Sequence, residues 1–506
     1  MLAGVSMPDY CHAGRYLLRD RTGTIMTNST LLLFLITCVS SGSTSETPAT
    51  KTNVLLIMAD DLRADLESYG ARVATPNLTR LSKSGRQFDR AYCQQALCNP
   101  SRSSLLTGLR PDTLKHWNNG KHFRDNNPGL KTLPQWFKEH GYESRCVGKI
   151  FHNWHTPVKG DPVSWSAPEF LHYASHADDL PKISGMPPEN HARAPKCECR
   201  DVPDNAYFDG QVAEEAIKVL GQLKEKPFFL AVGFWKPHAP FNAPKKYWDL
   251  YNRNDIREPI ITKPENAPEI AFHDGRELRG IPPNQVDFTL EQIREMRHGY
   301  LANISYLDAQ VGKLMKSLDQ LGLGKNTIVI FLSDHGYHLG EHTLWAKTSC
   351  FELDARVPMI INHPGIKNPG MKSGAVVESL DLFPTLIELC NLPFPGRLEG
   401  KSLVPILKDP SAKITNTAFT QHPRPAYFDR EPSKQPTHMG YSIRTEKLRY
   451  TEWRNWKTGA IDAVELYNHE SDPNELANAY RDTNLQKEMN EARDLLQRQF
   501  PRSPVK

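Results

Sequence analysis

Cys98, Asn99, Pro100, Ser101 and Arg102 stand in a row, with Leu105-Leu106-Thr107-Gly108 just behind them. Proline suits a first helical turn, so the run reads as the start of a helix covering roughly Pro100 to Gly108. A helix N-terminus offers unpaired N–H groups and the positive end of a dipole, both suited to an anion. Arg102 adds a cation one turn on. A free cysteine is otherwise most often a buried structural thiol, so the run gains its meaning from its companions. Asp60-Asp61 and Asp334-His335 are the strongest of these. Three carboxylates and one imidazole form an oxygen-rich set that suits Ca²⁺ or Mg²⁺ better than zinc. Such an ion can hold a nucleophile and a substrate oxygen while offsetting developing charge. Lys149 with His152, and Lys236 with His238, supply further cations and proton carriers.

The elements that must position these groups follow from periodicity. Val54 to Met58 is a continuous apolar run, the pattern of a buried parallel strand. Phe228–Phe234, Ile328–Leu332 and Pro358–Asn362 repeat it. Helical stretches lie between them: Thr132–His140, Asp209–Leu223 and Met296–Leu321. The alternation predicts an α/β fold, a large mostly parallel sheet with helices on both faces. Asp60 follows the first strand, Lys236 and His238 the second, and Asp334 and His335 the third. Ligands of open α/β sheets bind outside the carboxyl ends of strands, so three strands deliver ionisable groups to one edge.

Pro-, His- and charge-rich segments at 157–205 and 251–288 read as long excursions over that edge. After about residue 418 the texture changes to Tyr441–Arg444, Leu448–Thr451 and Glu465–Tyr467 as short strands, closed by a helix over Asn484–Gln499. The expected organisation is an N-terminal extension and signal peptide at 1–45, a catalytic domain at 46–418, and a smaller α+β C-terminal subdomain at 419–506.

Composition is that of a globular domain: 506 residues, 39% hydrophobic and 24% charged. A formal net charge of +4 gives no case for nucleic-acid binding. Leu31–Val39, followed by Ser40-Ser41-Gly42-Ser43, is too short to span a membrane and reads as a signal-peptide core, with Met26 the better initiator. No transmembrane segment is expected in the mature chain. Of nine cysteines, Cys11 and Cys38 precede the expected cleavage point. Cys93, Cys146, Cys197, Cys199, Cys350 and Cys390 then allow up to three disulfides in a secretory compartment. Asn77-Leu78-Thr79 and Asn303-Ile304-Ser305 are candidate glycan sites.

The stretch Gly141-Tyr142-Glu143-Ser144-Arg145-Cys146-Val147-Gly148-Lys149-Ile150-Phe151-His152 is similar along its whole length to the second signature of the sulfatase family. Ala96 to Gly108 resembles the first signature, with Asn99 where small residues are usual. Phe234-Trp235-Lys236-Pro237-His238-Ala239-Pro240-Phe241 and Ser333 to His342, with Trp345-Ala346-Lys347, resemble the iduronate-2-sulfatase branch. His335 at a metal position and Asn303 to Gly312 point the same way, and the resemblance covers about residues 50–480.

The resemblance implies an alkaline-phosphatase-like fold and a set of roles. Cys98 would be oxidised to formylglycine by a formylglycine-generating enzyme during maturation. One Ca²⁺ per chain would be held by Asp60, Asp61, Asp334 and His335, with the modified Cys98 completing the set. Arg102 and Lys149 would support the aldehyde hydrate and the sulfate, and Lys347 would bind sulfate. His238 would protonate the leaving sugar oxygen, and His152 would take the second hydrate proton. Lys149, His238, Lys347 and Tyr337 would contact substrate. The implied reaction removes 2-O-sulfate from L-iduronate in heparan and dermatan sulfate, in the lysosome or after secretion. Tyr337 stands where vertebrate enzymes of that branch tend to carry Trp, which widens the expectation to other sulfated glycans or small sulfate esters. A phosphodiesterase of the same fold and a catalytically dead glycan-binding protein are the remaining alternatives. Cys98 in place of Ser or Thr disfavours the first; the filled catalytic positions disfavour the second.

Overall fold

Val54 to Ala59 are wholly buried, and their side chains alternate between two separate cores. Leu55, Ile57 and Ala59 pack into one, Val54, Leu56 and Met58 into the other. That is the physical content of a continuous apolar strand: both sheet faces are covered. The computed structural model describes residues 51–153, 156–170 and 196–502. The N-terminal segment 1–45 and most of the 157–205 excursion therefore lie outside the described residues.

The main sheet has seven strands: β1 (Asn53–Asp60), β2 (Arg86–Tyr92), β3 (Glu143–Gly148), β4 (Phe228–Pro237), β5 (Thr327–Ser333), β6 (Arg356–Asn362) and β7 (Lys372–Glu378). Their spatial order is β7-β2-β6-β5-β1-β4-β3. Only β6 runs against its neighbours, so the sheet is mostly parallel. On one face lie α1 (Pro76–Ser84), α4 (Phe208–Leu223) and α5 (Leu290–Gln320). On the other lie α2 (Cys98–Thr107), α3 (Leu133–Glu139) and α6 (Leu382–Leu389). The α/β class expected from the alternation is the class observed.

Local chemistry sets the helix starts. Thr289 accepts from the Gln292 N–H while Gln292 reaches back, a capping box that begins α5 several residues before the expected Met296. Thr132 caps α3 by accepting from the Gln135 N–H alone. A second, antiparallel sheet is built from β8 (Ala418–Arg424), β9 (His438–Arg444), β10 (Leu448–Asn455) and β11 (Ile461–Asn468). The helix α7 (Gln486–Gln499) covers it, with Met489, Ala492 and Leu496 packed on Met439, Ile443 and Leu466.

Two expectations are corrected. The seven described cysteines are all free. The Cys93 thiol faces the Asp354 carbonyl, Cys350 that of Gly440 and Cys390 that of Thr52. Asn303 is no glycan site. It is 0% exposed in the middle of α5, where a sugar has no room. Asn77 is half-buried and donates from Nδ2 to Asp308 Oδ2 (2.8 Å).

Candidate active site

The chain turns sharply where β1 ends. Asp61 has φ 63°, a left-handed conformation that an L-residue adopts only when its surroundings hold it there. Tyr300 does so from α5, its hydroxyl donating to the Asp61 carbonyl (2.6 Å) and accepting from the Arg63 N–H (3.0 Å). The neighbouring strand end is stitched to this turn. Asp334 Oδ1 accepts from the N–H groups of Asp61 (3.2 Å) and His335 (2.9 Å). Ser333 Oγ accepts from the Leu62 N–H (3.0 Å) and donates to the His335 carbonyl (2.8 Å). Two strand ends thus fix Asp60, Asp61, Asp334 and His335 as one block, none more than 1% exposed.

Cys98 is the first residue of α2, and Leu97 before it offers no side-chain cap. The thiol is 1% exposed, with Sγ 3.5 Å from Asp60 Oδ1 and 3.3 Å from His335 Nε2. Burial and the adjacent Asp60 carboxylate push the thiol well above its ordinary pKa, which disfavours a thiolate nucleophile. Ser101 Oγ ties the first turn of α2 to the Asp334 carbonyl (2.5 Å). Arg102 is wholly buried beneath, and its guanidinium goes to Asp334 Oδ2 (2.8 Å), Asp60 Oδ1 (3.4 Å) and the carbonyls of Lys149, Ile150 and Ala59. The sequence expectation places Arg102 at residue 98; in the structure it orients the two carboxylates that face Cys98.

Lys149 follows β3, where Gly148 (φ 82°) and Gly233 let two backbones touch: a Cβ on Gly233 would lie 1.8 Å from the Lys149 carbonyl. Its ammonium pairs with Asp60 Oδ2 and lies 4.4 Å from the Trp235 ring centroid. Burial works against the Asp60 carboxylate, but Lys149, His238 and Arg102 outweigh it and hold its pKa below the usual range. Asp61 goes the other way. Burial, with Asp60, Glu277 and Asp334 nearby, raises it despite Lys347.

A second cluster stands beside the first. Lys347 Nζ lies 3.2 Å from Asp61 Oδ2, 2.6 Å from Glu277 Oε1 and 3.2 Å from His238 Nε2. His238 Nδ1 meets the Ala239 carbonyl at 2.6 Å, and Nε2 stands 3.7 Å from both Asp61 Oδ2 and Glu277 Oε1. Tyr427 donates to Glu277 Oε2 (3.0 Å). Burial depresses the Lys347 ammonium, yet Asp61 and Glu277 overcome it and keep it firmly protonated.

The structure therefore brings together Asp60, Asp61, Cys98, Arg102, Lys149, His238, Asp334, His335 and Lys347. His152 is buried in the loop three residues beyond Lys149. Tyr337 does not offer a face to substrate. Its backbone N–H bonds the Leu353 carbonyl, and the ring turns inward, 0% exposed, stacked on Tyr300 at 5.9 Å. It lies beneath Lys347, whose ammonium is 5.8 Å from its centroid. Sequence reasoning missed Glu277 and Tyr427. Neither belongs to a motif: Glu277 comes from the 251–288 excursion and Tyr427 from the turn after β8, and only the fold joins them.

The residues fit a hard divalent cation. Ligand atoms of Asp60, Cys98, Asp334 and His335 all lie within 4.8 Å of one another. Asp61 Oδ1 is buried and accepts no hydrogen bond, a costly state for a carboxylate unless a cation takes it. Sulfur is the misfit in this donor set; an oxygen in its place would make the set uniformly hard.

A mostly parallel sheet gathers buried carboxylates, cations and a helix N-terminus at one edge, an arrangement suited to a metal ion and an anionic ester. Residues 52–392 match the sulfatase family, and residues 340–500 match the C-terminal region of N-sulphoglucosamine sulphohydrolase. Human iduronate 2-sulfatase is 35% identical over 526 aligned positions, spanning 88% of this chain and 94% of the human protein. A structure of a protein in complex with its substrate D-glucosamine-2-N,6-O-disulfate superposes with a TM-score of 0.70 at 21% identity, covering 90% of this chain and 99% of that one. The phosphonate monoester hydrolase of Agrobacterium radiobacter also reaches 0.70 at 24% identity, covering 89% and 96%, so the fold alone does not choose sulfur over phosphorus. The chain belongs to the sulfatase family and is a sulfuric ester hydrolase.

Proposed function

We propose that this sulfatase removes 2-O-sulfate from L-iduronate units of heparan and dermatan sulfate, using a formylglycine made from Cys98 and one bound Ca²⁺. The observation that carries the reading is the seat of Cys98. Its side chain lies at the first residue of α2, between Asp60 Oδ1 (3.5 Å) and His335 Nε2 (3.3 Å), where a hard oxygen nucleophile suits the surroundings better than a thiol. Asp60, Asp61, Asp334 and His335 would hold the cation, which supplies charge stabilisation for the sulfate and the nucleophile. The aldehyde hydrate supplies one hydroxyl to attack sulfur and another to expel sulfate.

The chain's own residues do the rest. Arg102 and Ser101 keep Asp60 and Asp334 turned toward residue 98. Lys149 and Lys347 present fixed positive charge to the sulfate oxygens, in a buried setting where that charge acts strongly. His238 holds its Nδ1 at the Ala239 carbonyl, which leaves Nε2 as the proton carrier for the leaving sugar oxygen. His152 is assigned as the base that takes the second hydrate proton. The similarity to human iduronate 2-sulfatase supports the sugar, and the apolar run Leu31–Val39 supports entry into the secretory route, with the lysosome as the proposed destination.

Mass spectrometry of the peptide containing residue 98, from cells able to convert it, should find the aldehyde; unmodified cysteine throughout would remove the mechanism. Sulfate release from a 2-O-sulfated disaccharide ending in iduronate tests the substrate. Turnover of glucosamine sulfates alone would reassign the sugar.

A further inference from the structure

A pocket of about 250 Å³ lies between the loop that follows the α2 helix and the turns of the C-terminal sheet. Lys115, Lys121 and Lys434 stand around it, all exposed, and none forms an ion pair among the described residues. Trp117 and Trp456 contribute indole rings, packed edge to face at 5.2 Å and each half-buried. His116 also lines it, 2% exposed, with Nε2 buried and without a hydrogen-bond partner. Burial, with His122 and Lys121 adding to it, lowers that imidazole to about 3, so it is a neutral polar group. Unpaired cations beside aromatic rings and a neutral polar side chain make a site for one acidic sugar ring: indoles cover its apolar face and ammonium groups meet its sulfate or carboxylate.

The pocket is built onto the catalytic helix. Gln95 Nε2 donates to the Trp117 carbonyl (2.8 Å), three residues before Cys98. Asn99 donates from its backbone N–H to Asn119 Oδ1 (3.1 Å) and from Nδ2 to the Lys121 carbonyl (2.8 Å). The pocket loop is therefore anchored on both sides of residue 98. On its far wall Phe428 directly follows Tyr427, whose hydroxyl holds Glu277 of the active site. The volume is just under the roughly 300 Å³ at which pockets for whole small molecules begin. That size suits one ring of a longer chain.

We propose that this pocket binds an anionic sugar residue adjacent to the one being desulfated, so that the enzyme selects oligosaccharides over single sugars. The inference rests on the sulfated-glycan reading above. It is tested with Lys121→Ser/Lys434→Ser and, separately, Trp456→Ala in the full enzyme, against a sulfated tetrasaccharide and a small aryl sulfate. The expected result is a fall of about tenfold or more in kcat/KM for the tetrasaccharide, mostly through KM, with aryl sulfate turnover within about twofold of the parent. Equal losses on both substrates, or none on the tetrasaccharide, would overturn it. Tryptophan fluorescence with a heparin-derived tetrasaccharide reads the pocket without turnover. Quenching that disappears in Trp456→Ala supports the site even if the iduronate assignment fails, and quenching unchanged in both variants rules the site out.

Discussion

Two regions of this molecule bury clusters of charge, and they are built on opposite terms. At the strand ends, Asp60, Asp61, Asp334 and Glu277 face Arg102, Lys149 and Lys347, and one oxygen of Asp61 is left with no hydrogen bond. Where the C-terminal sheet meets the main one, Glu352 and Glu475 face Arg444 and Arg449, with His469 against Glu475. Both sets hold histidine and carboxylate at ligand-like spacing. The second is matched charge for charge: Arg449 donates to Glu352 Oε2 (2.5 Å), Glu475 Oε1 (2.7 Å) and Ser442 Oγ (3.2 Å). The first is short of positive charge. A buried cluster that satisfies itself holds elements together; one left incomplete is waiting for a cation or substrate.

The comparison breaks most sharply at Cys98. Cys98→Ala should lower sulfate-ester turnover by at least about 10⁴-fold while leaving thermal unfolding close to the parent, since the side chain is small and makes only sulfur contacts. Residual activity near the parent level would show that residue 98 is not the nucleophile. Arg449→Met is the matching cut in the other region. Removing the cation that bridges both carboxylates leaves Glu352 with Arg444 and Glu475 with His469, one positive charge short in a buried setting, at a cost of about 3–5 kcal/mol. Calorimetry should find a clearly lower Tm, with kcat of the surviving native enzyme unchanged. A fall in kcat at unchanged Tm would reverse the assignment of roles.

Acid should separate the two regions again. Burial alone would raise the Glu475 carboxyl, but Arg449 and His469 outweigh it and bring it down to about 2. A carboxyl depressed on folding contributes stability above its unfolded pKa, near 4.3, and that stability is lost as pH falls from there toward 2. Stability measured from pH 5 to pH 2.5 should therefore fall more gently in Glu475→Gln than in the parent, although the variant starts lower. Parallel slopes would mean that Glu475 is not depressed.

Much of this contrast is legible in the chain itself, and for a clear reason. Strands β1, β4 and β5 are apolar on both faces, so their ends are visible as the points where Asp60, Lys236 and Asp334 appear. Strand β2 escapes that test. It carries Arg86, Gln87, Asp89 and Arg90, and Arg86 is buried only because the carbonyls of Lys367, Asn368 and Met371 take its guanidinium, partners remote in sequence. Strand β3 does not read as a strand in the sequence, because Glu143, Ser144 and Arg145 break its apolar run. Asn303 misleads for the same reason: a sequon reports three residue types, while burial on α5 is decided by the helices around it.

Glu277 tests the finest division within the catalytic cluster itself. Its carboxylate is 2.6 Å from Lys347 Nζ and 3.7 Å from His238 Nε2, so it can position either the cation proposed to bind sulfate or the histidine proposed to carry the proton. The shorter contact is a charge-assisted hydrogen bond and the longer one is not, so the Lys347 role should dominate. Glu277→Gln keeps the shape and removes the charge. It should lower kcat/KM about tenfold on a sugar sulfate and on an aryl sulfate alike, because both need Lys347 at the sulfate. A loss confined to the sugar, whose poor leaving group needs a proton, would transfer the role to His238. Glu277→Asp shortens the reach toward both groups and should recover less than half of the loss if the 2.6 Å contact is what matters.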